Sequence, residues 1–429
     1  MSKFKPTISN IHYDGGILHF NIYGTDNYGL DKSIMNSIRR IIISEMPVVA
    51  FNIDENEPVK DITIVKNTGV LHNEMLLQRI SLIPLHLNPI NYKNNYLFEL
   101  KVEHDNNKPY TFITAKDFNI YPLLPKLQEK IDSLDESEYN EIIDTKSHDN
   151  YDLGNPLSEK YKKQIFKPFE FERNKSFHYS LITELSNTNT KDEKQEIHLF
   201  GIPSVDTGKK HARNQSVSCA TYSFTEDKGL FDSIVNEKIE LEKISKEDEE
   251  EFRKKIYLSE SERYYFRDFE NEPYKYNFSI KSNSYFNEKE LFLNSQLNLI
   301  NKLDMIKLSF RNHLEGKENS INIVKKNNYI YHFILNNENH TIGNLVQSHI
   351  VRRSINDESI IQSCGYKVKH PLEESITLYL SLNPKNKICE DSEQNKYHQL
   401  TNFLIDEFEK IKQEIKILHS VSEAAFLSS

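Results

Sequence analysis

Ile34-Met35-Asn36-Ser37-Ile38 and Ile342-Gly343-Asn344-Leu345-Val346 carry one short pattern, apolar-x-Asn-x-apolar, near opposite ends of the chain. Each copy follows an alternating run. Leu18, Phe20 and Ile22 interleave with His19, Asn21 and Tyr23 before the first, and Tyr329, Tyr331 and Phe333 interleave with Ile330 and His332 before the second. Period-two alternation predicts strands with one buried face, and the spacing after each strand is helical. A strand-then-helix unit used twice implies two related halves in tandem.

The first helix is expected from about Asp31 to Ser44, because Ile34, Ile38, Ile41 and Ile42 fall at i, i+4, i+7 and i+8 and make one apolar stripe. Asp31 or Ser33 can cap its start. Arg39 and Arg40 fall in its last turns, where positive charge suits the helix dipole, and Pro47 ends it. Both halves then close on a strand and a long helix. In the first, Tyr276, Phe278 and Ile280 alternate with polar residues, and Leu293, Leu297, Ile300, Leu303 and Phe310 follow at helical spacing. In the second, Ile376, Leu378, Leu380 and Leu382 alternate, and Leu400, Phe403, Leu404, Phe408, Ile411, Ile415 and Leu418 follow.

Residues 51–219 break this order and read as an inserted, mixed but mostly β domain, with strand candidates Ile62 to Val65 and Tyr96 to Val102 and one helix, Asn73 to Ser81. The polar tract Ser186 to Glu196 reads as a surface loop, and the charged run Lys243 to Lys255 as a solvated helix face. The expected division is therefore 1–50 with 220–312 as a discontinuous first domain, 51–219 as the insertion, 313–327 as a polar linker and 328–429 as the second domain.

Composition narrows the function. The 429 residues carry 54 Lys and Arg against 64 Asp and Glu, a net charge of -10, which argues against a protein whose main task is gripping phosphates. With 24 Phe and 23 Tyr the chain can fill sizeable cores. Met1 to Gly15 lacks the apolar core of a signal peptide, and no run approaches the roughly eighteen apolar residues of a membrane span, so an intracellular, soluble protein is expected. The three cysteines, Cys219, Cys364 and Cys389, show no zinc or redox spacing, so a reducing compartment and no structural metal are expected.

Catalytic signatures are missing: there is no GxGxxG, GxxxxGK[ST], HExxH or GxSxG. A lone His349 in a helical pattern reads as surface or satisfied core, and Glu249 to Glu251 as solvated charge. No active site and no cofactor are expected. Three stretches hold more detail than a plain core needs. Ser37 to Pro47 sets Arg39, Arg40 and Glu45 beside an apolar stripe, either as a rim that contacts a partner's carboxylates or carbonyls or as a solvated helix end. Val70 to Leu85 places Glu74 and Arg79 in a similar setting. Gly208-Lys209-Lys210-His211-Ala212-Arg213 could hold phosphate, though in an acidic chain with no helix signature after it a protein contact is the better reading.

Together these stretches resemble a known family. Residues 34 to 85, with Asn36-Ser37-Ile38-Arg39-Arg40, Glu74, Arg79 and Leu82-Ile83-Pro84-Leu85, and the later Gly208 to Arg213 with Ser218-Cys219-Ala220 to Tyr222, resemble the larger alpha-like assembly subunit of multisubunit RNA polymerases. That group includes the third subunit of eukaryotic polymerase II, the archaeal D polypeptide and the bacterial alpha amino-terminal domain. Residues 328 to 429, with His340-Thr341-Ile342-Gly343-Asn344-Leu345 and Gly365-Tyr366-Lys367-Val368-Lys369-His370-Pro371-Leu372, resemble the smaller partner, the eukaryotic eleventh subunit or the archaeal L polypeptide.

The resemblance implies an α+β fold: two alpha-like dimerisation modules, each an antiparallel sheet packed on helices, paired within one chain as a pseudo-heterodimer. It implies a non-catalytic scaffold of DNA-directed RNA polymerase. Arg39, Arg40, Glu45, Glu74, Arg79, Lys209, His211 and Arg213 are then candidate contacts to the two largest subunits, with small adaptors similar to the tenth and twelfth subunits as further partners. Ile34, Asn36, Ile38, Ile42, Leu297, Ile300, Thr341, Ile342, Asn344, Leu345, Phe403, Phe408 and Ile411 are the candidate internal interface. Fusion of the two subunits and an Asn, Lys and Ile-rich composition suit a large cytoplasmic DNA virus, placing the protein in host cytoplasm and virion, otherwise in the nucleus. The chain departs from many larger-subunit homologues in lacking a cysteine cluster in the insertion. The competing reading is a self-contained nucleic-acid-binding or transcription regulatory protein.

Overall fold

Alternation at the start of the chain folds as the hairpin β1 (Thr7–Asp14) and β2 (Ile17–Tyr23). Its two-residue turn is Gly15-Gly16, both at positive φ (54° and 74°), which residues with a Cβ adopt at a cost. The computed structural model describes residues 4–53, 61–90, 92–123, 155–171, 173, 175–187, 194–318 and 320–428. Residues 188–193 of the expected loop Ser186 to Glu196, and 54–60 and 124–154 of the expected insertion, lie outside them. β2 buries Leu18, Phe20 and Ile22. α1 (Lys32–Ser44) follows, started by Asp31, whose Oδ1 accepts from the Ser33 amide at 2.7 Å, and it buries the stripe Ile34, Ile38, Ile41 and Ile42.

Contacts divide the chain into two compact units, one made of Ser44–Ser218 with Ser282–Asn287. It contains β3 (Pro47–Ala50), β4 (Ile62–Asn67), α2 (Asn73–Ser81), β5 (Tyr96–Glu103), β6 (Tyr110–Thr114), β7 (Phe118–Pro122), α3 (Glu159–Phe166), β8 (Phe169–Phe171), β9 (Ser176–His178), β10 (Leu181–Ser186), β11 (Glu196–Gly201) and β12 (Ser204–Thr207). A four-stranded sheet, β4-β11-β5-β7, is joined by the pairs β10-β6, β12-β3 and β8-β9. Its core is built on Phe51, Phe98, Phe118 and Phe166, whose ring centroids lie 5.3 to 6.3 Å apart, with Leu76 and Ile80 of α2 packed into the same cluster.

The other unit gathers residues up to Ile43 with Cys219–Lys281 and Glu288–Ser429. β13 (Val217–Phe224) leads into a helical hairpin, α4 (Lys228–Glu242) and α5 (Glu249–Glu260), with its own small cluster of Phe231, Val235 and Ile256. β14 (Lys275–Ser282) and the long α6 (Glu288–Leu314) follow. Next come β15 (Ile321–Lys325), β16 (Ile330–Asn336), α7 (His340–His349), β17 (Ile361–Lys367), β18 (Ser375–Leu382) and the longest helix, α8 (Glu393–Leu427). α7 runs on into a π-helical turn, Ile350–Ser354.

The two sheets of this unit share one strand order, β1-β2-β14-β13 and β15-β16-β18-β17. In each the opening hairpin lies at one edge, a short helix follows the second strand, the fourth strand inserts beside the second, and a long helix follows the fourth.

The segment expected as a polar linker, 313–327, is largely structured. α6 extends to Leu314, and Ile321 and Ile323 pair with Leu335 and Phe333. Asn and Lys between the isoleucines mask a short edge strand, where polar residues guard the free backbone. The expected helix face at Lys243 to Lys255 begins only at Glu249, because Lys243 adopts positive φ (53°) and ends α4.

Candidate interaction surfaces

α1 and α7 meet at their polar residues. The Ser37 hydroxyl donates to the Thr341 carbonyl at 3.3 Å, and Arg40 Nε donates to Thr341 Oγ1 at 2.8 Å. Around these bonds Ile34, Ile38, Ile42, Ile342 and Leu345 are all buried. Two local features place α7. Asn339 caps it, accepting from the Thr341 amide at 2.8 Å, and Gly343 lies against Tyr366 of β17 so closely that a Cβ would sit 2.4 Å from the ring. Asn36 accepts from Arg39 Nε and Nη2 at 3.1 and 2.8 Å, while Asn344 is half-buried.

The long helices α6 and α8 pack together. Phe310 meets Phe408 at 5.7 Å between centroids, Phe292 meets Phe426 at 5.9 Å, and Gln296 donates to the Ser422 hydroxyl at 3.4 Å. Lys412 bonds Asp304 at 2.7 Å, and the buried Lys307 is paired with both Asp304 and Glu409. Ile300 and Ile411 are buried. Leu297 is 43% exposed and Phe403 only half-buried, a correction to the expected set: at 3.6 residues per turn the buried stripe runs through Gln296, Leu299, Ile300 and Leu303, and through Leu404, Phe408 and Ile411.

A second cluster had no sequence signal beyond isolated charges. Arg352, in the π-turn after α7, lies 3.6 Å from Asp31, 2.5 Å from Asp268 and 2.6 Å from Glu270. The guanidinium is nearly buried and Asp268 has no exposed side-chain surface. Beside it, Arg353 stacks 3.5 Å over the Tyr28 ring and donates to the Gly29 carbonyl at 3.0 Å. Ser348 donates to Asp31 at 2.7 Å, and the Tyr28 hydroxyl to Glu414 at 2.6 Å. Residues before 32 and after 340 are thus joined by charge-assisted bonds.

Glu407 anchors a third group. His349 Nδ1 lies 3.0 Å away, with Ser354 and Lys410 donating at 2.6 Å each. Burial raises the Glu407 pKa, but the bonds from His349, Lys410 and Ser354 outweigh it and hold the carboxyl below its ordinary value. His349 is therefore a satisfied core histidine.

The residues expected at an outer surface divide into two sets. Arg39 and Arg40 are engaged within the chain, by Asn36 and Thr341, and Arg79 donates to the carbonyls of Ile182 and Leu181 at 2.6 and 3.0 Å. Arg40 and Arg79 thereby tie separate elements of the chain, whereas Arg39 bonds within α1. Glu74 is exposed in the first turn of α2, and Glu45 is half-exposed. The Gly208 to Arg213 stretch is a self-bonded turn: the Lys209 amide donates to Ser44 O, Lys210 pairs with Asp206 at 3.1 Å, and His211 Nδ1 accepts from the Arg213 amide and Nε. Among the described residues no group of three or more His, Cys, Asp or Glu is placed to hold a metal ion, and no helix is long and apolar enough to cross a membrane.

This architecture defines an α+β protein of two topologically repeated sheet-and-helix units. Residues 26–303 and 331–414 each match the RNA polymerase Rpb3/Rpb11 dimerisation domain, and the chain belongs to that family. It is similar to the DNA-directed RNA polymerase subunit Rpo3 of Pyrobaculum aerophilum, at 44% identity over 57 residues, 13% of this chain and 19% of that protein. Over a longer stretch it is similar to the human DNA-directed RNA polymerases I and III subunit RPAC1, at 26% identity over 233 residues, 54% of this chain and 57% of that protein. The Dictyostelium discoideum counterpart is 33% identical over 101 residues, 24% of each chain. The chain therefore spans between 19% and 57% of the length of these relatives.

Proposed function

We propose that this chain is a non-catalytic assembly subunit of a DNA-directed RNA polymerase, with the larger and smaller alpha-like modules fused and paired as an internal pseudo-heterodimer. The observation that carries this reading is one strand order recurring in two segments that match the same family. The first module takes residues up to 43 and from 219 to 314, the second begins near 320, and the insertion lies between 44 and 218. Fusion replaces a bimolecular encounter by a high effective concentration, which favours the correct pairing. The α1–α7 crossing, the Arg352 cluster and the α6–α8 seam are the internal interface.

In this reading Glu45, Glu74, Lys209, His211 and Arg213 face the two large catalytic subunits and the small adaptors, while Arg39, Arg40 and Arg79 hold the surfaces in shape. The fused form and the Asn, Lys and Ile-rich composition fit a large cytoplasmic DNA virus, with the protein acting in host cytoplasm and packaged in the virion. Copurification tests the docking. Co-expressed with the two large subunits, the wild-type chain is expected to bring both down, and a Glu74→Lys, Lys209→Glu, Arg213→Glu variant to lose at least one while keeping its circular dichroism spectrum. Undiminished recovery by the folded variant would sink the assignment.

A further inference from the structure

The outer face of the second sheet gathers positive charge on an otherwise acidic chain. Strand register sets Lys367 opposite Thr377, Tyr379 opposite both Gly365 and His332, and His332 opposite Val324. Alternate residues of a strand share a face, so these side chains lie together, away from the buried Phe333, Leu378 and Leu380. The His332 and Tyr379 rings meet edge to face at 4.5 Å, and Lys367 Nζ lies 5.3 Å from the Tyr379 centroid. Lys326, just past β15, and Lys369, just past β17, flank this row, and all three lysines are exposed. Burial, then the charges of Lys326, Lys367 and Lys369, pushes the His332 pKa below its ordinary value.

One further fact marks the patch as open to a partner. Many lysines of this chain are ion-paired, as Lys66, Lys210, Lys238, Lys307 and Lys412 are, yet among the described residues Lys326, Lys367 and Lys369 have no carboxylate at ion-pair distance.

We propose that this face is a docking site for a short acidic segment of a partner protein, with its carboxylates on Lys326, Lys367 and Lys369 and an apolar side chain over Val324 and Tyr379. A nucleic acid fits less well. Three lysines neutralise about three phosphates, and a chain of net charge -10 repels a long polyanion. The site stands on its own observations and does not depend on the polymerase reading.

The test uses the full chain and two fluorescent probes in about 150 mM salt: a Glu-rich decapeptide containing one Phe, and a single-stranded decadeoxynucleotide. The peptide is expected to bind, and Lys326→Gln, Lys367→Gln, Lys369→Gln together are expected to weaken it about tenfold, the sum of three exposed ion pairs. Lys254→Gln, on α5, serves as the control and is expected to change nothing. No peptide binding, equal binding by the triple variant, or tighter binding of the oligonucleotide with a steep salt dependence lost in the triple variant would each overturn the proposal.

Discussion

Arg352 shows how much can rest on one side chain. Its guanidinium meets Asp31, Asp268 and Glu270, and Asp268 has no exposed side-chain surface from which to recover solvation. Removing one partner of such a group leaves the others as buried, uncompensated charge, so Arg352→Ala is expected to cost about 3–5 kcal/mol, measured by urea unfolding. Arg352→Lys should recover only part of this, because an ammonium cannot reproduce the planar fork. Nothing near Arg352 in sequence marks it. Its partners are remote, and a lone Arg after a helix reads as surface. Asp31, by contrast, was legible as a helix start, although the cap was only half of its role.

At the scale of elements, the spacing of apolar residues foretold α1 and the alternating strands closely, with α2 at Asn73–Ser81 as expected, but it understated the long helices: α8 begins seven residues before Leu400 and ends nine after Leu418. Short edge strands escaped it. β15 hid among Asn and Lys because an edge strand buries only half of one face, too little apolar signal to stand out. α7 illustrates how an element is seated. Gly343 gives the closest approach of the helix to β17, and in Gly343→Ala the Tyr366 ring must leave its place. The expected loss is about 1–3 kcal/mol in unfolding free energy, as for other overpacked cores. Tyr366→Leu in the same chain should reduce the penalty of the alanine, and an unchanged penalty would show that the ring is not the obstacle.

For the whole molecule, acid should act on the two units through different groups. Burial, then the nearby Lys167, pushes the His86 imidazole down to about 4 from 6.5, against a smaller opposing bond to the Ile165 carbonyl. The unfolded chain then binds a proton that the folded one refuses, so this contribution is complete above 6.5 and is lost as the pH falls toward 4, at most about 3 kcal/mol. In the other unit Glu407 titrates below its ordinary 4.5, so its contribution is lost only under stronger acid. Urea unfolding at a series of pH values is expected to show destabilisation beginning below 6.5, and His86→Asn should flatten the slope between 6.5 and 4. A wild-type chain equally stable at 6.5 and 4.5 would contradict this.

By itself the sequence determined what depends on near neighbours: which stretches are strands or helices, where they start, the twofold recurrence of the pattern, and the absence of familiar catalytic motifs. Those signals are periodicities and caps within a few residues. Only the tertiary structure decided which faces meet: that Arg40 holds Thr341 rather than standing free, that Leu297 lies off the seam, and that Arg352 draws in Asp31, Asp268 and Glu270. Such pairings depend on the relative placement of elements far apart in the chain, and local propensity carries no information about that placement.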